Sequence, residues 1–461
     1  MLECHSIINK TLTEAMSTNS LTENSEELTR IIDSVLTLAK QMGASEAEAD
    51  IGVGSGLSAN VRKGEIDKLE YERDKGLGIT VYIDGQKGNS STSDFSDEAI
   101  KTSVEAAMGI AKHASRDEFA GLVEKELMAT EFPDLDLYHP WDISPEAAIE
   151  LAIETEQLAF DEDKRISNSD GSVVSTYSGL NLYGNTHDFI HGWNWSSHTV
   201  DCTVIAEDSS GMQRDGWYSK ARDYKDLQAS KEISQEAAKR TVARLGSRKI
   251  STCQAPVIFE APVASGLFSA FITAISGGSL YRRASFLLDK KGEQVFADHI
   301  NIKEQPYIKK ALGSAPFDND GVATREHDLI KDGVLQDYVL SGYSARKLGL
   351  QTTGNAGGVH NLVVESDNKS LNDLIKQMGT GLLVTDMIGF GVNQITGDYS
   401  RGASGFWIED GEIAYPVEEI TVAGNLVDMY KNIISISNDV DPRGNILTGS
   451  VFMDTMTIAG E

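Results

Sequence analysis

The stretch from residue 47 to residue 93 reads AEADIGVGSGLSANVRKGEIDKLEYERDKGLGITVYIDGQKGNSSTS and largely sets the fold class of this chain. Apolar and polar residues alternate along it, which is typical of strands that are buried on one face. Lys63-Gly64 and Asp84-Gly85 stand where a two-residue turn would join neighbouring strands of a hairpin. The stretch therefore predicts an antiparallel sheet.

Helical patterns flank this predicted sheet. An apolar stripe that includes Ile32, Val35 and Leu36 predicts a first helix, capped by Asn24 and ended by Gly43, and a second helix starts at Ser96. Beyond residue 249 the chain is rich in strand patterns. The predicted fold class is therefore α+β, with N-terminal helix and antiparallel-sheet layers followed by a β-rich C-terminal domain.

Two segments suggest domain boundaries. Residues 131–145 contain three prolines, and residues 246–249 read GSRK after a predicted helix. Residues at the N-terminus are polar and lack periodicity, as expected of a loose arm. The predicted division is a flexible arm at 1–21, an N-terminal α+β domain at 22–130, a central domain at 131–248 and a C-terminal β-rich domain at 249–461.

The charge balance excludes two classes of partner. The chain has 70 acidic and 41 basic residues, a formal net charge of −29, and no basic island. Such a chain repels both the phosphate backbone of nucleic acids and anionic membrane surfaces. We therefore expect neither nucleic-acid binding nor membrane binding.

Cysteine usage and the absence of targeting patterns predict a cytoplasmic protein. Cys4, Cys202 and Cys253 are far apart and form no CxxC pair, so neither a disulfide framework nor a cysteine zinc site is expected. Residues 1–27 have no basic and apolar segments of the kind that make a secretory signal. The uncharged residues 261–281 contain a proline and three glycines, which favours a buried core helix over a membrane span.

Most enzyme motifs are missing from the sequence. It contains no GxSxG, no P-loop, no HExxH and no HxxEH. The best metal candidate is His187 with His191, and His198 nearby. The surrounding residues indicate a strand, where positions i and i+4 lie about 13 Å apart, too far to share one ion without a bend. The pattern therefore favours polar side chains on a solvated strand face over a zinc site.

A glycine-rich run, GDYSRGASG at 397–405, is a second candidate site. Its glycines allow another backbone to approach, so an extended peptide could add here as a strand. Alternatively, the glycines only shape bulges and turns in a bent sheet. Composition alone does not separate these two interpretations.

Three long runs carry a resemblance to a known family. They are GDYSRGASGFWIEDGEIAYPVEEITVAGNLVDMYKNI at 397–433, SLYRRASFLLDKKGEQVF at 279–296 and GLQTTGNAGG at 349–358. They resemble the PmbA (TldE) branch of the TldD/PmbA family, and the similarity extends over about residues 22–461. The resemblance implies a cytoplasmic α+β protein that assembles with its paralogue TldD into a zinc-dependent peptidase. The implied substrates are unfolded or modified peptides, as in microcin maturation and antitoxin turnover. An older label for the family is modulator of DNA gyrase.

The sequence departs from the catalytic branch of this family at the zinc site. TldD-type chains carry HExxxH on a helix before a basic pair, and a later cysteine completes the zinc ligands. When this chain is aligned on Arg282-Arg283, Ser269 and Ala274 replace the two histidines and Ala270 replaces the glutamate. None of these side chains supplies a zinc ligand or a general base. Residues 255–298 contain no histidine, and no cysteine follows Cys253.

The resemblance therefore implies a subunit without catalytic residues or a metal of its own, with zinc held by the TldD-type partner. It would supply substrate binding and assembly, and whether it also forms a homodimer when alone stays open, as do its natural peptide and the roles of His187 and His191. The alternatives are a peptidase with an unrecognised site and a non-enzymatic regulator of gyrase. The residues assigned to the peptide groove or subunit interface are Gly397, Asp398, Tyr399, Ser400, Arg401, Gly402 and Ala403.

Overall fold

The computed structural model describes residues 19–460, and the side chains of residues 25–460. Most of the predicted arm at 1–21 lies outside the described residues. The first helix, α1, spans Asn19–Gln41, and Gly43 follows it with φ +95°. The predicted cap at Asn24 was wrong, because the helix begins five residues earlier.

The N-terminal and central regions share one six-stranded antiparallel sheet. Its strand order is β3-β2-β1-β4-β5-β6. The strands are β1 (Glu46–Arg62), β2 (Glu65–Ile83), β3 (Gln86–Thr92), β4 (Ile166–Asn185), β5 (Phe189–Asp208) and β6 (Gly211–Ala221). The helices of this part, besides α1, are α2 (Asp97–His113), α3 (Pro145–Glu162) and α4 (Ser230–Ala243).

Sequence chemistry explains the hairpins of this sheet. Lys63-Gly64 joins β1 to β2, and Asp84-Gly85 joins β2 to β3; all four residues have positive φ, as the predicted turns require. The antiparallel sheet predicted from residues 47–93 is confirmed.

One face of the sheet is covered by helices. Ile51 and Leu77 pack with α1 and α2 in one hydrophobic cluster, whereas Leu57 and Val61 pack with α3 and α4 in another. Strand β1 therefore buries the same face along its length against two helix pairs. The division at 131 stays a prediction, and the structure adds that a single sheet continues across it.

The C-terminal region is built from two further sheets. The larger has the order β14-β13-β12-β7-β17-β15, and β14 also pairs with β17, so five of its strands close into a ring. The smaller has the order β10-β9-β8-β11-β16. The strands of the larger sheet are β7 (Cys253–Phe259), β12 (Gly381–Ile388), β13 (Asp398–Glu409), β14 (Glu412–Asn425), β15 (Ile433–Ile436) and β17 (Val451–Ala459). Those of the smaller are β8 (Ile302–Glu304), β9 (His327–Lys331), β10 (Val334–Leu335), β11 (Leu362–Val364) and β16 (Ile446–Leu447).

Short helices accompany these sheets. They are α5 (Ala261–Ile275), α6 (Gly277–Tyr281), α7 (Gly342–Leu348), α8 (Leu371–Met378) and α9 (Leu426–Lys431). The predicted α+β class with a β-rich C-terminal region is confirmed. In the described part of the chain, no helix combines the length and apolarity needed to cross a membrane. The apolar stretch 261–281 forms α5 and α6, which are separated at Ser276.

Candidate functional site

Helix α5 is the element on which the resemblance places the zinc ligands of TldD-type chains. Pro262 stands in its first turn, where a missing N–H costs no helical hydrogen bond. Leu267, Phe271 and Ile275 recur at i+4 and are almost fully buried. Their stripe joins the largest hydrophobic cluster of the C-terminal region, so α5 is built to be buried.

Aromatic packing fixes α5 from the core side. The Phe271 ring lies edge-on to Phe296, with 5.0 Å between ring centroids. The hydroxyl of the fully buried Tyr430 donates to the carbonyl oxygen of Leu267 at 2.8 Å. Burial holds the pKa of the Tyr430 hydroxyl well above its usual value, so Tyr430 stays a neutral donor to the helix.

The three aligned positions on α5 do not fit zinc. Ala270 and Ala274 are buried and end in methyl groups, whereas Ser269 is exposed. The polar groups on the open side of α5 are hydroxyls, and Thr273 Oγ1 donates to the Ser269 carbonyl oxygen at 2.9 Å. Zinc requires imidazole, thiolate or carboxylate ligands, so this helix offers no ligand set. The alignment that places these three residues stays a prediction.

Across residues 25–460, no cluster of three histidine, cysteine or acidic side chains is arranged to hold a metal ion. His187 lies in the turn between β4 and β5, with Nε2 3.8 Å from Glu46 Oε1. His191 is exposed on β5, and its ring stacks on Phe132. The solvated-strand interpretation therefore holds for His191, but it was wrong for His187, which belongs to a turn.

The third histidine of that sequence pattern has a structural role. His198 is fully buried; its Nδ1 lies 2.8 Å from Thr176 Oγ1 and its Nε2 2.8 Å from the His139 carbonyl oxygen. Burial lowers the pKa of this imidazole, which keeps it neutral. The three histidines therefore do not converge on one site.

A buried carboxylate in the smaller sheet was missed from the sequence. Glu304 on β8 accepts hydrogen bonds from Asn355 Nδ2 at 2.8 Å and from the His360 backbone N–H at 2.6 Å. His360 Nδ1 lies 3.0 Å and His327 Nε2 3.6 Å from its oxygens. These residues are far apart in sequence, so no local motif predicted the cluster. Its hydrogen bonds from Asn355 and His360 tie β8 to the loop before β11, and the His327 ring of β9 lies beside it.

The Gly397–Ala403 segment forms the turn into β13 and its first half. Tyr399 and Ala403 point into the core, whereas Asp398 and Ser400 are exposed. Burial raises the pKa of Tyr399 to about 12. Bonds from Thr396 and Asn425 lower the pKa of Asp398, which keeps its carboxylate charged at the surface.

Both edges of this segment are already paired. Gly402 lies opposite Ile388 of β12 on one side and Thr421 of β14 on the other, and the Ser400 N–H donates to the Gly391 carbonyl oxygen at 2.7 Å. A Cβ on Gly391 would lie 1.6 Å from the Ser400 carbonyl oxygen. The interpretation in which the glycines shape close backbone contacts is therefore favoured, and an added peptide strand has no free edge at Gly402.

Arg401 brings this segment to helix α5. Its Nε donates to the Gly389 carbonyl oxygen at 3.0 Å, and its Nη1 lies 3.5 Å from the position of a Cβ on Gly266. The structure thus places the two regions that the resemblance singled out, α5 and the segment 397–403, side by side.

Next to them lies an apolar surface that sequence reasoning missed. At the end of β12 and in the loop that follows it, Ile388 and Ile395 are more than 60% exposed, at 63% and 62%, and the ring of Phe390 is fully exposed. We call Ile388, Phe390 and Ile395 the apolar loop. The sequence MIGFGVNQIT held the signal, because its glycines interrupt the strand pattern around apolar residues. Exposed apolar clusters mark contact surfaces more often than isolated side chains do.

The fold places an antiparallel sheet, a ringed C-terminal sheet and a buried helix beside a glycine-rich strand in one chain, which defines a multidomain α+β protein. Residues 47–111 match domain 1, residues 138–245 the central domain and residues 252–460 the C-terminal domain of the PmbA/TldA metallopeptidases. The chain belongs to the PmbA/TldD metallopeptidase family.

Relatives that match this chain over nearly its full length agree with this assignment. The chain is 46% identical to the Metalloprotease PmbA of Escherichia coli O157:H7, over 94% of this chain and 97% of that protein. It is also 46% identical to the Metalloprotease PmbA homolog of Haemophilus influenzae, over 96% and 98%.

Solved structures share the fold. A Bacteroides thetaiotaomicron protein described as a candidate modulator of DNA gyrase superposes with a TM-score of 0.90, at 26% identity, covering 95% of this chain and 100% of that one. TldE from Thermococcus kodakarensis superposes with a TM-score of 0.83, at 22% identity, covering 93% and 100%, which is a likeness of fold.

Proposed function

We propose that this chain is the non-catalytic subunit of a cytoplasmic zinc peptidase, and that a TldD-type paralogue holds the zinc. In this complex the chain supplies assembly and peptide binding. The substrates are unfolded or modified peptides, of the kind trimmed in microcin maturation or removed in antitoxin turnover.

One observation carries the proposal. Helix α5 offers methyl groups and hydroxyls at the positions where the aligned catalytic chains hold zinc, although the chain belongs to a metallopeptidase family. If zinc hydrolysis in this family depends on ligands at that helix, another chain has to supply the metal, which supports the proposal.

The apolar loop supports a contact with that other chain. The apolar surface of Ile388, Phe390 and Ile395 stays in contact with water unless a partner covers it, and covering it is favourable. The chain carries a net charge of −29, so a self-contact would work against like-charge repulsion unless the interface were poor in charge. The apolar loop is poor in charge, so it suits contact with another acidic chain, and Arg401 lies at its edge.

Reconstitution tests the proposal. An unfolded peptide is incubated with this chain, with the paralogue and with the mixture, each with and without a chelator. We expect chelator-sensitive cleavage that is strongest in the mixture. Chelator-sensitive cleavage by this chain alone would establish an independent peptidase instead, and co-purification with gyrase in place of the paralogue would support the regulatory alternative.

A substitution in the glycine-rich strand tests whether the segment 397–403 lies at the peptide groove or the subunit interface. Gly402 has ordinary backbone dihedral angles, and a Cβ there would meet Ile388 atoms at 3.4 Å and 3.5 Å, so Gly402→Trp projects towards the apolar loop. We expect this variant to fold, and its mixture with the paralogue to cleave peptide more slowly. Gly109→Ala is the control, because a Cβ on this exposed helical glycine meets no atom within 4 Å. Unchanged cleavage by the Gly402→Trp mixture would contradict this placement of the site.

A further inference from the structure

The six-stranded sheet has a second face that the helices do not cover. Near Tyr183 and Trp193 this face is covered by the C-terminal region, since the Trp193 ring lies 5.0 Å from that of Phe317. Further along β1 the face is open and forms a cavity of about 390 Å³, a size typical of ligand sites. We call it the sheet groove. Its lining includes the glycines Gly52, Gly54, Gly56 and Gly76, the acidic residues Glu72 and Asp74, the residues Tyr177, Asn181 and Trp195, and Lys75.

Glycines form the floor of the sheet groove. Because alternate residues of a strand share a face, Gly52 and Gly54 of β1 both open onto it, and Gly76 of β2 lies opposite Gly52. A Cβ on Gly76 would meet no atom within 4 Å, and one on Gly54 would meet only backbone. None of these three has a positive φ, so no turn or strain accounts for the glycines here. Their effect is to leave space.

Two aromatic rings form a wall. A Cβ on Gly56 would lie 2.1 Å from the Tyr177 ring, and one on Gly179 would lie 3.0 Å from the Trp195 ring, so each ring packs against a glycine that leaves room for it. Trp195 Nε1 donates to Asn181 Oδ1 at 3.3 Å, which fixes the indole. Both residues are half-buried and line the groove.

The opposite wall is acidic. Glu72 and Asp74 lie across from Gly56 and Gly54 in the register of β1 and β2. The neighbouring Lys75 points to the other face, where its ammonium lies over the Phe95 ring. Within residues 25–460, neither Glu72 nor Asp74 forms an ion pair with a lysine or arginine, whereas Glu70 is paired with Lys68 at 2.6 Å. Burial first, and then the nearby charge of Glu72, raise the pKa of the Tyr177 hydroxyl, which is consistent with a carboxylate close to the ring.

We propose that the sheet groove binds an arginine or lysine side chain of an extended peptide. An aromatic wall attracts a cation through the negative faces of its rings, and two unpaired carboxylates add charge complementarity. A narrow floor without side chains admits a long aliphatic stem. The inference rests on the proposed function only in that a peptide supplies the cation.

Binding is measured by calorimetry with the intact chain at low salt. The probes are two capped peptides, Gly-Gly-Arg-Gly-Gly and Gly-Gly-Gln-Gly-Gly. We expect the arginine peptide to bind about tenfold or more tightly, and added salt to reduce the difference. Gly76→Val fills the floor from a position whose Cβ would meet no atom within 4 Å, and it should abolish the preference, as should the double variant Glu72→Gln with Asp74→Asn. Gly109→Ala is the matched control and should retain it.

Equal binding of the two peptides, or an arginine preference that survives Gly76→Val, would overturn the assignment. Either result would leave the proposed function intact if the mixture with the paralogue still cleaves peptide. Conversely, selective arginine binding together with failed cleavage by the mixture would keep the sheet groove and reject the proposed function.

Discussion

Replacing Phe390 with serine separates the contribution of the apolar loop to assembly from its contribution to folding. The Phe390 ring is fully exposed and lies on the loop after β12, and Ile388 and Ile395 of the apolar loop are each more than 60% exposed. Because the ring is not buried in this chain, its removal should change the free energy of unfolding by less than about 0.5 kcal/mol.

The same substitution should weaken pairing with the paralogue. Burying a phenylalanine side chain contributes about 1.5–3 kcal/mol, and each 1.4 kcal/mol is tenfold in a dissociation constant. If the partner covers the ring fully, Phe390→Ser should raise the dissociation constant of the complex roughly 10- to 150-fold.

Titration calorimetry of wild-type and variant chains with the paralogue measures this shift, and thermal unfolding of each chain alone checks the fold. Met212→Ser is the matched control, since Met212 is 66% exposed on β6, outside the apolar loop. An unchanged dissociation constant for Phe390→Ser would refute the contact. So would an equal loss in the control.

Two further predictions concern the core and the pH dependence of stability. Phe271→Ala on α5 leaves a cavity against Phe296 and should lower the free energy of unfolding of the C-terminal region by about 3–5 kcal/mol. Ser269→Ala on the exposed side of the same helix should change it by under about 0.5 kcal/mol. Denaturant titration compares the two variants, and similar small effects would contradict the buried-helix assignment. Burial and the charge of Asp320 raise the pKa of Asp318 from 3.8 to about 7. The folded state therefore holds a proton that the unfolded state releases, so the free energy of unfolding should fall by up to about 4 kcal/mol as pH rises from about 4 to 7. Asp318→Asn should flatten this slope, and identical slopes in both proteins would refute the shift.

The sequence predicted those parts of the fold that local chemistry determines. The hairpins at Lys63-Gly64, Asp84-Gly85 and Asp410-Gly411 follow from residues that accept positive φ. A buried core helix was likewise expected within the uncharged residues 261–281, and α5 is such a helix, with Leu267, Phe271 and Ile275 buried.

Long-range pairing could not be predicted in this way. Strand β4 pairs with β1, placing Gly179 opposite Gly54 more than a hundred residues away, and no local pattern specifies that register. The sheet groove and the Glu304 cluster both depend on such pairings. The pairing of Gly402 with Thr421 of β14 could not be predicted from the sequence either, because it depends on the register of the β13–β14 hairpin and on its bulges.

The zinc content of the purified chain alone tests the central claim most directly. The chain is incubated with excess zinc, desalted and analysed by mass spectrometry of the metal, with the paralogue treated in parallel. Because α5 offers only methyl and hydroxyl groups at the aligned positions, we predict far less than stoichiometric zinc on this chain and stoichiometric zinc on the paralogue. One tightly held zinc per copy of this chain would contradict the account.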